Sequence, residues 1–317
     1  MRREPGEARE YHVPVMLDEV LSFLAPAPGK TVVDATLGGA GHARRIVQAL
    51  QPGGKLIGID RDPDAIAEAK NVLRPWADFV VLVHDRYDHI QDILGSVGIN
   101  KVDGILFDFG VSSHQLDTPQ RGFTFQDADA PLDMRMDPTS EGPTAADLLN
   151  TLSERELADL IRSNSDERWA ARIAKFAVEQ RAKAPLTTTA DLVRVVHAAI
   201  PAAARPPDTH AATRTYQALR IAVNDELTIV GHALESAIGC LAPGGVVVTL
   251  SYHSSEDAIA KRTFAHFAGK GEGIGPFGER PPAVLELLTR RPLAPAPEEV
   301  RANPRARSAK LRAARRK

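Results

Sequence analysis

The sequence contains a single cysteine, Cys240, among its 317 residues. One cysteine excludes a disulfide within the chain and fits a reducing compartment. No apolar run approaches the roughly 20 residues that cross a bilayer. The basic residues at the N-terminus are not followed by the apolar segment of a secretory signal. We therefore expect a cytoplasmic protein that does not enter a membrane.

Signatures of metal sites and of serine hydrolysis are also missing. No His/Cys pair has zinc spacing, and the G-x-S-x-G turn of a hydrolase nucleophile does not occur. Asp127, Asp129, Asp133 and Asp137 form an acidic run, but it lacks the central glycine and terminal glutamate of an EF-hand loop. We expect no bound metal.

Charge is distributed unevenly along the chain. The net charge is −2, yet residues 301–317 contain eight Lys or Arg and no acid. The preceding 300 residues hold 31 basic and 41 acidic residues, a balance of −10. A basic tail on an acidic body is typical of nucleic-acid contact, and a solvated, frayed terminus is the alternative. Composition does not separate the two interpretations.

Short apolar runs alternate with helical spacing through the first hundred or so residues. The runs predict strands at 31–33, 55–59, 79–83 and 102–108, and acids follow at or near their ends. This alternation predicts an α/β fold with a doubly wound, mostly parallel sheet.

The alternation stops after residue 113. A segment rich in Pro, Asp and Gly precedes residues 144 to about 236, whose apolar spacing is almost entirely helical, and strand character returns at 244. Ser153 and Glu156 form the pattern of a capping box. We expect a helical domain at 114–225, inserted between a first part at 1–113 and a second part at 226–317 that ends in the basic tail.

The glycine cluster "DATLGGAGHARR", residues 34–45, lies between the first strand and a helix. It lacks the Gly-Lys-Ser/Thr of a triphosphate loop, and Arg44 replaces the third glycine of a dinucleotide fingerprint. Asp34 and Asp60 end the first two strands, where carboxylates suit a ribose diol and a cationic group. S-adenosylmethionine fits this pattern best, while a nicotinamide cofactor or an unrelated ligand stays open.

Longer motifs carry a resemblance over nearly the whole chain. "HVPVMLDEVLSFL", "DATLGGAGH", "GIDRDPDAI", "DGILFDFGVSSHQLD", "PLDMRMD", "TRTYQALRIAVNDEL" and "SYHSSEDAIAKR" occur in that order. Together they resemble the bacterial ribosomal RNA cytosine-N4 methyltransferase family RsmH, also called MraW. The resemblance implies a class I (Rossmann-like) S-adenosylmethionine-dependent methyltransferase with an inserted helical domain. It also implies N4-methylation of one cytosine in the decoding region of 16S rRNA.

The same resemblance implies partners and cofactor contacts. The partner is 16S rRNA or the small ribosomal subunit, and a homodimer is compatible with the family. The cofactor contacts carried over to this sequence are Ala40, Gly41, His42, Asp60, Tyr87, Asp108 and Gln115. Most relatives have glycine where this chain has Ala40, which an alanine tolerates unless the position needs a positive φ.

Methyl transfer to the exocyclic amine of cytosine needs a hydrogen-bond acceptor near the nitrogen, because the lone pair of that amine is delocalised. Many amine methyltransferases place Asn or Asp before Pro-Pro-Tyr at the end of the fourth strand. This chain has Asp108 there without the prolines, so Asp108 is the candidate catalytic acceptor as well as a cofactor contact.

Substrate contacts are expected from two further segments. The segment 213–227 predicts a helix whose polar face holds Arg214, Gln217, Arg220 and Asn224. His253 follows the returning strand and is a candidate proton shuttle. Two other functions stay open, a non-catalytic ribosome-assembly factor that only binds rRNA and a DNA amine methyltransferase.

Overall fold

The computed structural model describes residues 14–207, 209–270 and 283–317. The N-terminal residues compared above with a secretory signal lie, up to residue 13, outside the described residues. Seven strands form one sheet in the order β3-β2-β1-β4-β5-β7-β6. The strands are β1 (Thr31–Asp34), β2 (Lys55–Asp60), β3 (Val80–His84), β4 (Val102–Asp108), β5 (Leu241–Ser251), β6 (Leu285–Leu287) and β7 (Lys310–Arg316).

The first five strands are parallel. Strand β1 pairs with both β2 and β4, β2 pairs with β3, and β4 pairs with β5. The chain thus builds outward from β1 on one side and then on the other, and the order reverses between β1 and β4. Ligands of open α/β sheets bind at the carboxyl ends of the strands beside such a reversal.

Apolar residues fill both faces of the sheet. Val32 and Leu106 belong to one buried cluster, whereas the neighbouring Val33 and Ile105 belong to the other. Successive side chains of a strand point to opposite faces, so a strand covered on both sides has to be apolar throughout. The expected doubly wound α/β sheet is confirmed.

Thirteen α-helices lie within the described residues, and none of them is long and apolar enough to cross a membrane. The helices are α1 (Leu17–Leu24), α2 (Gly41–Ala49), α3 (Pro63–Val72), α4 (Ile90–Ser96), α5 (Ser113–Asp117), α6 (Ala145–Thr151), α7 (Glu154–Asn164), α8 (Ala170–Arg181), α9 (Thr189–Ala199), α10 (Thr213–Asn224), α11 (Glu226–Cys240), α12 (Ser254–Phe267) and α13 (Pro297–Ala302).

The chain divides into two compact units. One contains Met1–Ser113 and Ile229–Lys317 and carries the sheet, and the other, His114–Thr228, is helical. Its second boundary lies three residues later than the expected 225. Within the helical unit, α7 begins with the capping box anticipated from Ser153 and Glu156, whose side chains each bond the other's backbone N–H. Similar boxes start α6 and α9.

Two expectations about element bounds are corrected. Strand β5 begins at Leu241 rather than at 244. The helix expected over 213–227 is two helices, because Asp225 adopts a left-handed conformation with φ of +50° and ends α10. The apolar spacing continues through this break, so periodicity alone did not reveal it.

The expected basic tail is also corrected, because its end is a strand of the sheet. Strand β7 pairs antiparallel with β5 on one side and with β6 on the other. Leu311, Ala313 and Ala314 are completely buried, and Arg312 is 7% exposed. The segment looks like a tail because four of the seven β7 residues are Lys or Arg and two are alanine, a composition that gives little strand signal.

Candidate active site

Carboxylates end three adjacent parallel strands. Asp34 is the last residue of β1, Asp60 of β2 and Asp108 of β4. The charges of Asp60 and Asp108 both contribute to raising the pKa of Asp34, so the three groups lie close enough to repel one another. The structure therefore brings together, beside the reversal of strand order, the acids that the sequence marked at strand ends.

Asp60 is tied to the glycine loop that crosses the strand ends. One oxygen accepts the backbone N–H of Gly38 at 2.8 Å, and the other accepts that of Asp62 at 2.9 Å. Burial raises the pKa of Asp60 to about 6 despite these bonds. Each carboxylate oxygen can accept a second bond. Asp60 thus has a fixed orientation and retains acceptor capacity for hydroxyl groups.

Ala40 differs from the expectation about its backbone. Its φ is +59°, and its N–H donates to the Leu37 carbonyl at 2.8 Å. The position therefore does favour glycine, and the amide expected to contact the cofactor is used inside the loop. The side chain of Ala40 is completely buried.

Gly41 packs closely against the segment that precedes α1. A Cβ atom built on Gly41 would lie 3.2 Å from Cδ of Pro14, closer than side chains normally pack. The absence of a side chain lets the start of α2 approach the segment that leads into α1. Gly41 therefore shapes this corner of the site through close backbone packing.

His42 is buried and neutral. Its Nε2 lies 2.9 Å from the Val15 carbonyl, which only accepts, so Nε2 carries the proton. Burial lowers the pKa of His42 to about 4. The remaining nitrogen, Nδ1, lies 3.7 Å from Oδ2 of Asp108. In the neutral ring Nδ1 is an acceptor, so two acceptors face each other here.

Asp34 is 1% exposed, and its pKa is raised well above the usual value by burial. Backbone N–H groups of Thr36 and Ala43 oppose this shift. Asp34 was considered from the sequence as part of an acidic cradle. The structure adds that its neighbours' charges favour a protonated Asp34 unless a cation is close.

The backbone and the side chain of Asp108 each have a hydrogen-bond partner. Its backbone N–H donates to Oγ1 of Thr36 at 2.6 Å, and its Oδ1 accepts the hydroxyl of Tyr252 at 2.8 Å. Tyr252 was not singled out from the sequence, although it stands inside the quoted "SYHSSED". An aromatic residue just after a strand gives no sign of which acid it will meet.

Tyr87 lies beside the same strand. Its ring packs edge-on against Phe107 with centroids 5.7 Å apart, and it is tilted against Phe109 at 6.1 Å. The ring is only partly buried. Contact between Tyr87 and an adenine ring stays a prediction.

Gln115 belongs to the helical unit, where it is 4% exposed within α5. The contact of Gln115 with the cofactor stays a prediction. His253 lies at the start of α12, and its Nε2 is 2.9 Å from Oε1 of Glu256. The other oxygen of Glu256 accepts the backbone N–H of Tyr252. His253 is therefore held by a buried acid, and its proton-shuttle role stays a prediction.

Two residues of the expected polar face of α10 have partners inside the helical unit, and their contact with substrate stays a prediction. Asn224 is 2% exposed, donates to the Met134 carbonyl and accepts the N–H of Met136. Arg220 forms a two-pronged pair with Glu226 at 2.7 and 2.8 Å. Both side chains are committed to the packing of the helical unit. Sequence periodicity placed them on a polar face but did not reveal these buried partners.

The other two α10 candidates keep more exposure. Arg214 is exposed, and Gln217 is partly exposed. A cavity of about 1060 Å³ within the helical unit is lined by Arg214 together with Arg162, Arg168 and Trp169. Asp166 and Glu167 also line it, so the charge of its wall is mixed.

The acidic run at 127–137 forms local turns. Asp133 pairs with Arg135 through two bonds at 2.8 and 2.7 Å. Asp127 accepts the N–H of Asp129, and Asp137 accepts that of Thr139. These acids thus have structural partners two residues further along the chain.

Solved structures that are similar to this chain include a putative rRNA methylase from Clostridium thermocellum. It has a TM-score of 0.44, is 13% identical and covers 95% of each chain. A fibrillarin from Aeropyrum pernix, described in complex with S-adenosyl-L-methionine, has a TM-score of 0.40 and 8% identity, and the match covers 94% of this chain and 73% of the other.

Sequence relatives are much more similar. Proteins named ribosomal RNA small subunit methyltransferase H are 49% identical in Heliobacterium modesticaldum and 50% identical in Geobacter sulfurreducens. Each match covers 96% of this chain and 98% of the relative. The relative of the same name from Thermobifida fusca is 50% identical, with 98% of this chain and 95% of the relative covered.

The family model described as the MraW methylase family matches residues 9–317. The resemblance inferred from the motifs is therefore confirmed, and with it the assignment to a class of methyl-transferring enzymes. This chain belongs to the MraW methylase family.

Proposed function

We propose that this chain transfers a methyl group from S-adenosylmethionine to N4 of one cytosine in the decoding region of 16S rRNA. It acts in the cytoplasm on the small ribosomal subunit or its RNA. The family match over residues 9–317 supports methyl transfer, and the names of the relatives support the rRNA substrate. The N4 position follows the resemblance of the motifs.

The observation that carries the cofactor proposal is the cluster of Asp34, Asp60 and Asp108. Burial and the charges of Asp60 and Asp108 raise the pKa of Asp34, so a nearby positive charge would stabilise its ionised form. S-adenosylmethionine has an ammonium and a sulfonium group, and its ribose hydroxyls need acceptors. Asp60 would hold the ribose, and Asp34 and Asp108 would favour the cationic part. These residues fit the group.

When bound, S-adenosylmethionine supplies an electrophilic methyl group. The chain's own contribution is the acceptor geometry around Asp108. Oδ2 of its carboxylate lies 3.7 Å from the Nδ1 atom of His42, so either atom would be an acceptor for a hydrogen bond from the target amine. An acceptor there draws the nitrogen lone pair out of conjugation and compensates its developing positive charge.

The test is methylation by the purified full-length chain with isotope-labelled S-adenosylmethionine. Naked 16S rRNA and small subunits from cells lacking the protein serve as separate substrates, and nucleosides are identified by mass spectrometry. We expect N4-methylcytidine at a single position. Methyl groups on C5 or on adenine would contradict the assignment to N4. Tight rRNA binding without methylation would instead favour the assembly factor.

A further inference from the structure

Two residues far apart in the sequence meet at the ends of neighbouring strands. The Tyr252 hydroxyl donates to Oδ1 of Asp108 at 2.8 Å, across 144 positions of the chain. Asp108 ends β4 and pairs in register with Leu250 of β5, so Tyr252 extends from the adjacent strand. The sheet therefore fixes where the phenol can reach.

The ring of Tyr252 packs, partly buried, against the hydrophobic core cluster on one face of the sheet. Gly110 has a φ of +102°, and a Cβ atom built on it would lie 3.7 Å from Cδ2 of Tyr252. The backbone N–H of Tyr252 donates to Oε2 of the buried Glu256 at 2.8 Å. The ring and the backbone of Tyr252 are therefore both in contact with the rest of the sheet unit, which fixes where the hydroxyl lies.

The direction of the bond is fixed as well. Burial and the charge of Asp108 raise the pKa of Tyr252 well above its ordinary value of 10. The phenol therefore stays protonated at physiological pH and acts as a donor. It does not serve as the base that takes the proton from the substrate amine.

The two oxygens of Asp108 consequently have different surroundings. Oδ1 accepts from Tyr252, whereas Oδ2 lies 3.7 Å from Nδ1 of His42, which is an acceptor. The bond from the Tyr252 hydroxyl restrains rotation of the Asp108 carboxylate about its Cβ–Cγ bond. The hydroxyl selects one orientation of the carboxylate.

We infer that Tyr252 is a positioning residue for methyl transfer, which acts by holding the carboxylate of Asp108 with Oδ2 directed toward His42. The inference rests on the proposed function. Tyr252 acts through Asp108, so its contribution should disappear when the Asp108 carboxylate is gone. A residue that only supports the fold would contribute equally with and without that carboxylate.

The experiment is a double-mutant cycle with Tyr252→Phe, Asp108→Asn and the double variant in the full-length chain. Two quantities are measured, the S-adenosylmethionine affinity of the purified protein by calorimetry and the single-turnover methylation rate at saturating cofactor and RNA. Tyr252→Phe keeps the ring against Gly110 and removes only the hydroxyl. Tyr216→Phe is the matched control, because it removes the hydroxyl of another buried tyrosine whose pKa is raised, to about 12.

Asp108→Asn will lower either the S-adenosylmethionine affinity or the single-turnover methylation rate. We expect Tyr252→Phe to lower that same quantity by about tenfold, which is the effect of one hydrogen bond to a charged group. The double variant should match Asp108→Asn alone, and Tyr216→Phe should match the wild type. Additive losses, or a loss in a different quantity from that of Asp108→Asn, overturn the inference. A wild-type level in Tyr252→Phe also overturns it. Absence of rRNA methylation by the wild-type protein refutes the proposed function instead.

Discussion

Arg312 of β7 holds Asp257 of α12 through two hydrogen bonds. Nε of the guanidinium lies 2.7 Å from Oδ1, and Nη2 lies 3.1 Å from Oδ2. The side chains are 9% and 14% exposed. A basic residue that belongs to an apparent tail is thus paired with α12, the helix that follows the neighbouring strand β5. The pair ties β7 to a helix that packs beside it.

Arg312→Ala should lower the free energy of unfolding by about 3 kcal/mol, because it leaves the largely buried carboxylate of Asp257 without its main partner. Urea unfolding followed by tryptophan fluorescence measures the change. Arg315→Ala on the same strand is the control, since its pair with Glu286 is exposed and 3.5 Å long and should contribute less than about 1 kcal/mol. Equal effects of the two variants would contradict a special role for Arg312.

The expected RNA contact is tested by substituting exposed basic residues next to β7. Deleting β7 itself would disrupt the sheet. Arg305 and Arg307 lie in a short 3-10 helix and are exposed. If both meet phosphates, the Arg305→Gln/Arg307→Gln variant should bind 16S rRNA more weakly. The slope of log affinity against log salt should also become shallower by roughly 2. Filter binding at several salt concentrations measures both. Arg301→Gln is the control because Arg301 pairs with Glu298, and an unchanged slope in the double variant would remove this segment from the RNA contact.

Asp60 should make stability depend on pH. Its folded-state pKa is about 6 and its ordinary value is 3.8, so the folded protein binds the proton more tightly than the unfolded chain. Stability contributed by the protonated acid is therefore lost as the pH rises from about 4 to 6. Relative to Asp60→Asn, whose side chain does not titrate, the wild type should lose about 2–3 kcal/mol over this interval. The measurement is urea unfolding of both proteins without ligand at several pH values. A difference in unfolding free energy that does not change with pH would show that the pKa of Asp60 is not raised.

Asp108→Asn separates catalysis from cofactor binding. Asparagine keeps the shape and one acceptor oxygen but loses the charge that would stabilise the amine as it becomes positive. We expect a fall in the single-turnover methylation rate on the order of 10²-fold at saturating cofactor, with a smaller change in cofactor affinity. The opposite pattern, weak binding with a normal saturated rate, would make Asp108 a cofactor anchor only.

Ala40 offers a test of backbone conformation. An L-residue in the left-handed region costs roughly 1–2 kcal/mol, and a lost buried methyl costs about 0.8 kcal/mol, so Ala40→Gly should be neutral or slightly stabilising. Ala43→Gly, inside the following helix and equally buried, should lose about 1–2 kcal/mol. Thermal and urea unfolding of both variants give the comparison. A larger loss at Ala40 than at Ala43 would contradict the strained conformation.

The sheet could be predicted from the sequence because its parallel strands are buried on both faces. Runs such as Val32-Val33 and Ile105-Leu106-Phe107 are apolar throughout, and such runs are visible in one sequence. The acids that end β1, β2 and β4 could be identified because each one directly follows such an apolar run. Strand β7 was not predicted, because its buried Arg312 depends on Asp257, a partner 55 residues away in the sequence.

The remainder of the site depends on contacts that periodicity does not encode. Asn224 looked like a surface polar residue, yet its amide bonds the backbone on both sides of Arg135, at Met134 and Met136. Tyr252 meets Asp108 only once β4 and β5 are side by side. Ala40 was expected to be harmless, and only the observed φ shows the strain. These hydrogen bonds and this backbone conformation depend on residues that are neighbours only in the folded structure.

The pairing of β7 with β5 has a consequence for synthesis on the ribosome. Strands β1 to β4 can assemble early, but one edge of β5 keeps its backbone N–H and C=O groups open until residue 316 has emerged. An unpaired strand edge is a template for wrong pairing with other chains. Folding of this unit therefore cannot finish during translation of the helical insertion, and truncated chains that stop before β7 should aggregate rather than accumulate as a smaller folded enzyme.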